Sequence, residues 1–187
     1  MVIGVLGYAN FVSIKEPVEF NNFKDTRTKK VVDRLKDIRQ AQEVYRLVTG
    51  EFAPNFDTLA QVIKEDSIKI VTIFGDKDNV NSTEEFREVI SYKSAIDSLM
   101  SKSPGMNLDS LRYVPFTDGQ NFNISADTMT YQSTLVSVVE VGTRWKDFMG
   151  KYASKKYAKY DGGYNPDAML KFGDMNAPNL SGNWPLN

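Results

Sequence analysis

Few side chains in this sequence have the type and spacing that chemistry demands, and the strongest candidates are oxygen and ammonium groups. Asp76, Asp78 and Asn79, in GDKDNVN, match the oxygen-rich start of a calcium loop. The sixth position of such a loop lacks its glycine, and a turn rich in Asp and Asn forms without metal, so the segment reads as a turn and no metal or other cofactor is expected. Further on, Lys151, Tyr152, Lys155, Lys156, Tyr157, Lys159 and Tyr160 interleave ammonium groups with rings. That pattern can stack bases or hold a headgroup layer, but in a chain of near-zero charge it reads first as a solvated helix. The scattered carboxylates show no local spacing that pairs an acid with a base. No glycine-rich phosphate loop and no Gly-x-Ser-x-Gly turn occurs.

Composition narrows the chemistry further. The 187 residues contain no histidine and no cysteine, which removes imidazole catalysis, thiol nucleophiles, disulfides and Cys/His zinc sites. An enzyme would have to work with carboxylates, lysines or hydroxyls, and a non-enzymatic role is expected. The 23 basic and 24 acidic residues give a net charge of −1, so no general attraction to nucleic acid is expected. A chain of this length with 41% hydrophobic side chains supports one core of ordinary size. Absence of cysteine is compatible with an oxidising compartment outside the cytoplasm.

The elements that must position these groups begin with a long amphipathic helix. Val31, Leu35, Ile38, Ala41, Tyr45 and Val48 recur at three- and four-residue steps, while Lys29, Lys30, Arg34, Lys36 and Glu43 occupy other faces. Gly50 ends the helix, and Asn55 or Asp57 starts a shorter one carrying Leu59, Val62 and Ile63. Before it, residues 1–14 carry no charge. As a helix they span about 21 Å, short of the roughly 30 Å hydrocarbon core of a bilayer. The favoured reading is a membrane helix whose beginning lies upstream of Met1, with Val5, Leu6 and Phe11 as anchor or assembly contacts; a buried core segment is the alternative.

Downstream, Ser67–Phe74 alternates as a strand, residues 83–102 mix strand and helix signals, and Leu111–Phe116 reads as a strand. Phe122–Thr130 and Leu135–Val141 read as a hairpin about Tyr131–Thr134, for a sheet of about four strands. The end of the chain reads as irregular and exposed. The expected organisation is an apolar segment over 1–21, a globular α+β domain over 22–175 and a tail over 176–187.

Two resemblances give this plan a context. The apolar helix followed by RQAQEVYRLVTGEFAPNFDTLAQVI, with Tyr45, Gly50, Phe52 and Pro54, resembles the N-terminal half of type IV pilins and type II secretion pseudopilins. That likeness implies a spine helix packed on a small, mainly antiparallel sheet. It lacks the family's prepilin cleavage motif and the glutamate of the apolar segment. KEPVEFN, RLKDIRQAQEVYRLVTGEFAPNFDTL, DSLRYVPFTDG and the terminal SGNW together resemble a family of uncharacterised, single-pass membrane-anchored proteins of Bacteroidota. With that resemblance, the triplet of Asp, Ser or Thr, and an aliphatic residue or Met becomes readable as the acceptor motif of the O-glycosylation system of exported Bacteroidota proteins. It occurs at Thr58, Ser67, Ser98, Ser110 and Thr128. Asp-Ser and Asp-Thr are also favoured caps and turn formers, which enriches the same triplet without any sugar.

The sequence therefore leads to an expected structural protein of the bacterial envelope, anchored in the inner membrane with its domain in the periplasm or at the surface. Its partners would be itself or other envelope proteins. Val31, Leu35, Ile38 and Tyr45 would couple helix to sheet. The alternative is a periplasmic module that binds a peptide, glycan or lipid through the sheet and the aromatic segment, with Trp145 and Tyr157 taking part.

Overall fold

The three- and four-residue steps build a single helix, α1 (Val2–Thr49), of 48 residues in the computed structural model. At 1.5 Å per residue it is about 72 Å long. The structure describes residues 2–75 and 86–184, with side chains from Lys15 onward. The calcium-like Asp76, Asp78 and Asn79, and the side chains of Val5, Leu6 and Phe11, lie outside the described residues. Pro17 sits inside α1 and removes one amide donor there. Val31, Leu35, Ile38 and Ala41 are fully buried and Tyr45 nearly so, whereas Lys29, Lys30, Lys36 and Arg46 face water.

Gly50 closes α1 in the left-handed region, φ 86°, with its N–H on the Arg46 carbonyl at 2.8 Å. The turn back is held by a buried amide. Gln42 donates from Nε2 to the Ala53 carbonyl at 3.0 Å and accepts the Ala53 N–H on Oε1 at 2.8 Å, so neither partner is left unsatisfied. Asn55 caps α2 (Phe56–Glu65) by accepting the Thr58 N–H, and Phe56, Leu59 and Ile63 turn inward. The ambiguous stretch divides in two, a strand and then a helix. β1 (Ser67–Phe74) pairs antiparallel with β2 (Arg87–Ser94), and α3 (Ala95–Lys102) follows, capped by Ser94.

The fold is α+β, with small antiparallel sheets in place of the expected four-stranded one: β1–β2 stands alone, and β3 (Asn123–Tyr131), β4 (Thr134–Arg144) and β5 (Met169–Gly173) form a second sheet in that order. The β3–β4 turn places Gln132 and Ser133 at φ 48° and 65°, a mirror-image turn whose twist suits a hairpin although neither residue favours it. Leu111–Phe116 is not a strand. A 3-10 turn at Leu108–Ser110 runs into it, and among the described residues its ladder contact is an isolated bridge from Tyr113 to Asn121. Arg34 binds the Ser110 carbonyl and Ser103 donates to Gln40, so this loop is fastened to α1.

The last third wraps the start of α1. After β4 come α4 (Trp145–Phe148) and two 3-10 turns, so the Lys/Tyr segment is not the solvated helix its charges suggest. Its tyrosines are core residues. Phe20 is fully buried among Tyr152, Tyr157, Tyr160 and Tyr164, at ring distances of 5.2–5.9 Å. Three of its lysines lie over the ring that follows, Lys151 on Tyr152, Lys156 on Tyr157 and Lys159 on Tyr160, at 4.6–4.8 Å. The tail is irregular but not free. Gly182 bridges Phe172, the Asn183 amide bonds the Lys171 N–H and the Met169 carbonyl, and Trp184 is buried.

Lys24 ties α1 to this wrap through Asp161 at 2.6 Å. That hydrogen bond, with one from the Gly163 N–H, holds the Asp161 carboxyl below the usual carboxylate range. A depressed folded-state pKa adds stability that is fully present above the ordinary carboxylate value and disappears as pH falls through the depressed one. The pair is partly exposed, so Lys24→Met should cost about 0.5–1 kcal/mol at neutral pH. Urea titrations should show the gap between variant and parent closing on acidification below about pH 4. A gap independent of pH would assign the loss to packing instead.

Candidate functional site

Two surfaces stand out as unfinished. The first is the β1–β2 ribbon. A strand buried on one face hides every second side chain, but here both strands are exposed almost throughout. The register sets Val71 opposite Ile90 and Ile73 opposite Glu88 on one face, with Lys69 opposite Tyr92. The other face carries Ile70, Phe74 and Val89, and Arg87 lies over the Phe74 ring at 4.8 Å. Ile73 is 61% exposed and Tyr92 70%. Only the base joins the core, through Ile68 and the hydrogen bond from the Ala95 N–H to the Asp66 carbonyl at 3.1 Å. Among the described residues no third strand pairs with either edge, and a two-stranded ribbon with apolar side chains on both faces is marginally stable by itself and invites a partner.

The second surface is an open groove of about 480 Å³ where three distant segments meet. Successive turns of α1 present Glu19, Phe23 and Arg27; the loop contributes Phe116, and the C-terminal wrap contributes Lys151 and Tyr152. The Arg27 guanidinium lies over two rings, 4.2 Å from the centre of Phe23 and 4.6 Å from that of Phe116, and donates from Nη1 to the Phe148 carbonyl. Burial draws its pKa down. Phe116 has φ 67°, a conformation that costs a side-chain-bearing residue about 1–2 kcal/mol, yet its ring is half exposed. Below the groove, Tyr164 donates to the Tyr152 carbonyl at 2.7 Å, and burial pushes its phenol up to about 12.

A polar recess of about 470 Å³ between α2 and the 3-10 turn is already closed by charge pairs, Lys64 with Asp109 and Arg112 with Asp57. Among the described residues no group of acidic side chains could hold a metal ion, and no helix is long and apolar enough to cross a membrane.

The acceptor triplets fall mostly at helix ends. Thr58 lies in the first turn of α2, Ser67 follows its last, Ser98 lies in the first turn of α3 and Ser110 ends the 3-10 turn. Only Thr128 is in mid-strand. Ser67 and Thr128 are exposed and Thr58 and Ser110 half-buried, while Ser98 is 7% exposed. The caps are Asn55, Ser94 and Asn107, so Asp57, Asp97 and Asp109 do not cap; they sit in first turns, where a carboxylate suits the helix dipole without any sugar. Trp145 packs on Phe148 and Tyr164 and is partly buried, while Tyr157 is buried beside Phe20.

Sequence reasoning missed the groove because its residues come from three separate stretches, and no local spacing connects positions 19–27, 116 and 151–152. Compared with known proteins, the chain matches no family model, no curated protein and no solved structure.

Proposed function

We propose that this chain is a non-enzymatic structural subunit of a bacterial cell envelope, anchored in the inner membrane by its N-terminal helix. Its pilin-like domain would assemble with copies of itself in the periplasm or at the cell surface. The observation that carries the reading is the ribbon, whose apolar side chains face water on both sides. Ile70, Val71, Ile73, Phe74, Val89, Ile90 and Tyr92 are each 38–70% exposed, a contiguous patch of the kind that marks an interaction surface. A second copy supplies an equal apolar surface and two more strand edges. The pilin-like plan is supported by the long spine helix and the small antiparallel sheets. The non-enzymatic reading rests on a sequence without histidine or cysteine. An exported location would make Thr58, Ser67, Ser110 and Thr128 the acceptors open to a glycan.

Sedimentation of the full chain in mild detergent tests the assembly. The protein should self-associate at micromolar concentration. Ile73→Thr with Ile90→Thr keeps strand propensity but removes apolar area worth about 2–3 kcal/mol, so association should weaken about 100-fold with the melting temperature little changed. A monomer at about 100 µM, or a variant that associates like the parent, would overturn the reading. Cross-linking in native membranes should join ribbon to ribbon; stoichiometric links to a different envelope protein would instead make the chain part of that protein's complex.

A further inference from the structure

We propose that the groove between α1, the Phe116 loop and the C-terminal wrap binds a small aromatic carboxylate, its ring laid against Phe116 and its charge met by Arg27 and Lys151. The groove and the ribbon share no residue, so binding there is independent of self-assembly.

The charge of the ligand follows from the cations. Among the described residues neither Arg27 nor Lys151 is in an ion pair. Glu19, the groove's own carboxylate, is taken by Lys15 at 3.5 Å. Arg27 spends Nη1 on the Phe148 carbonyl, and its guanidinium carbon lies over the rings of Phe23 and Phe116. What remains of a guanidinium held that way is its in-plane N–H fork, the part that matches a carboxylate. Lys151 reaches the same groove from the opposite wall, with its ammonium 4.8 Å from the centre of the Tyr152 ring and 6.0 Å from that of Phe23. A cationic ligand would meet repulsion, and a neutral one would leave these donors unused.

The shape of the ligand follows from the walls. Phe23, Phe116 and Tyr152 line the groove, and stacked or edge-on rings favour a flat apolar body. Phe116 is 48% exposed while its backbone occupies the left-handed region. An exposed ring held at backbone cost beside a fixed cation is a surface organised before any ligand arrives. Asn22 and Thr26 edge the same side of α1 and give polar contacts at the rim. The volume is within the range of small-molecule sites.

The test is NMR titration of the full chain in detergent with 2-naphthoate, and with the uncharged 2-naphthamide and 2-naphthyl phosphate for comparison. Naphthoate should shift the Arg27, Phe116 and Lys151 signals and bind at least 10-fold more tightly than the amide. Naphthyl phosphate binding more tightly than naphthoate would overturn the carboxylate assignment in favour of a phosphate ligand. Arg27→Gln should lower naphthoate affinity by 10-fold or more and Lys151→Gln by 3-fold or more. Because Arg27 also supports the Phe148 carbonyl, Phe116→Gly is the decisive variant: it relieves the backbone, so the melting temperature should hold or rise, while affinity falls about 10-fold. Equal binding of acid and amide, shifts spread over the apolar ribbon instead of the groove, or a folded Phe116→Gly protein with parental affinity would each overturn the proposal.

Discussion

Replacing Ile38 with aspartate is expected to leave the chain unfolded at room temperature. Ile38 is fully buried in the C-terminal third of α1, one turn from Leu35 and Ala41, which are equally buried. An unpaired carboxylate there either stays charged in an apolar environment or takes up a proton at a cost, and the leucine-sized contacts are lost in both cases. The two effects together come to about 5 kcal/mol or more, comparable with the whole stability of a domain this size. Circular dichroism should show loss of the cooperative thermal transition, with helix signal reduced. The neighbouring exposed position gives the control: Lys36→Asp should stay folded, shifting the melting temperature by only a few degrees. A soluble, cooperatively melting Ile38→Asp protein would mean that α1 does not carry the core.

Gly173→Ala is expected to have the next largest effect. Gly173 has φ 81°, and a Cβ placed on it would stand 1.9 Å from the Val139 carbonyl oxygen. Backbone, not a flexible side-chain end, is what would have to move. The same residue pairs with Glu140 and donates to the Ser181 carbonyl, so the displacement would reach β4 and the tail together. The cost should be about 3–4 kcal/mol, or roughly 10 °C in melting temperature. At Gly162, where an added Cβ meets nothing within 4 Å, the same change should shift the transition by no more than a degree or two. Equal effects at the two positions would show that the β4–β5 contact is not tight.

These two positions also show what was legible in the sequence. Ile38 announces itself, because burial along α1 follows a local period and needs only neighbouring residues to be seen. Gly50, Asn55 and the β3–β4 hairpin are legible for the same reason. Gly173 is not, since β5 is five residues whose partner strand lies about 30 residues earlier, and its necessity arises only when β4 is beside it. Tertiary context likewise overrode the strand signal of Leu111–Phe116, where Leu111 and Tyr113 donate back to the Leu108 and Ser110 carbonyls and a short bridge takes the Val114 N–H and the Arg112 carbonyl. In the Lys/Tyr segment the lysines suggested water on all sides, yet their stems cover the rings while the rings fill the core. The tail gave no periodic signal because side-chain amides, chiefly Asn183, replace the ladder. Part of the SGNW motif then acquires a physical reading: Gly182 leaves room for the Trp184 ring, whose atoms would lie 2.3 Å from any Cβ there.

The ribbon has a mechanical consequence. β1 leaves from the end of α2 and β2 runs into the start of α3, with Ser67 opposite Ser94 at the root. A pull applied at the far ends, Phe74 and Arg87, would travel down both strands in the same direction, so the cross-strand hydrogen bonds would be neither sheared nor unzipped. The load would enter α2 and α3 side by side and pass through Leu59, Ile63 and Leu99 into the core around α1. A ribbon rooted this way acts as a tether under tension, and its breaking strength is that of the helix packing beneath it.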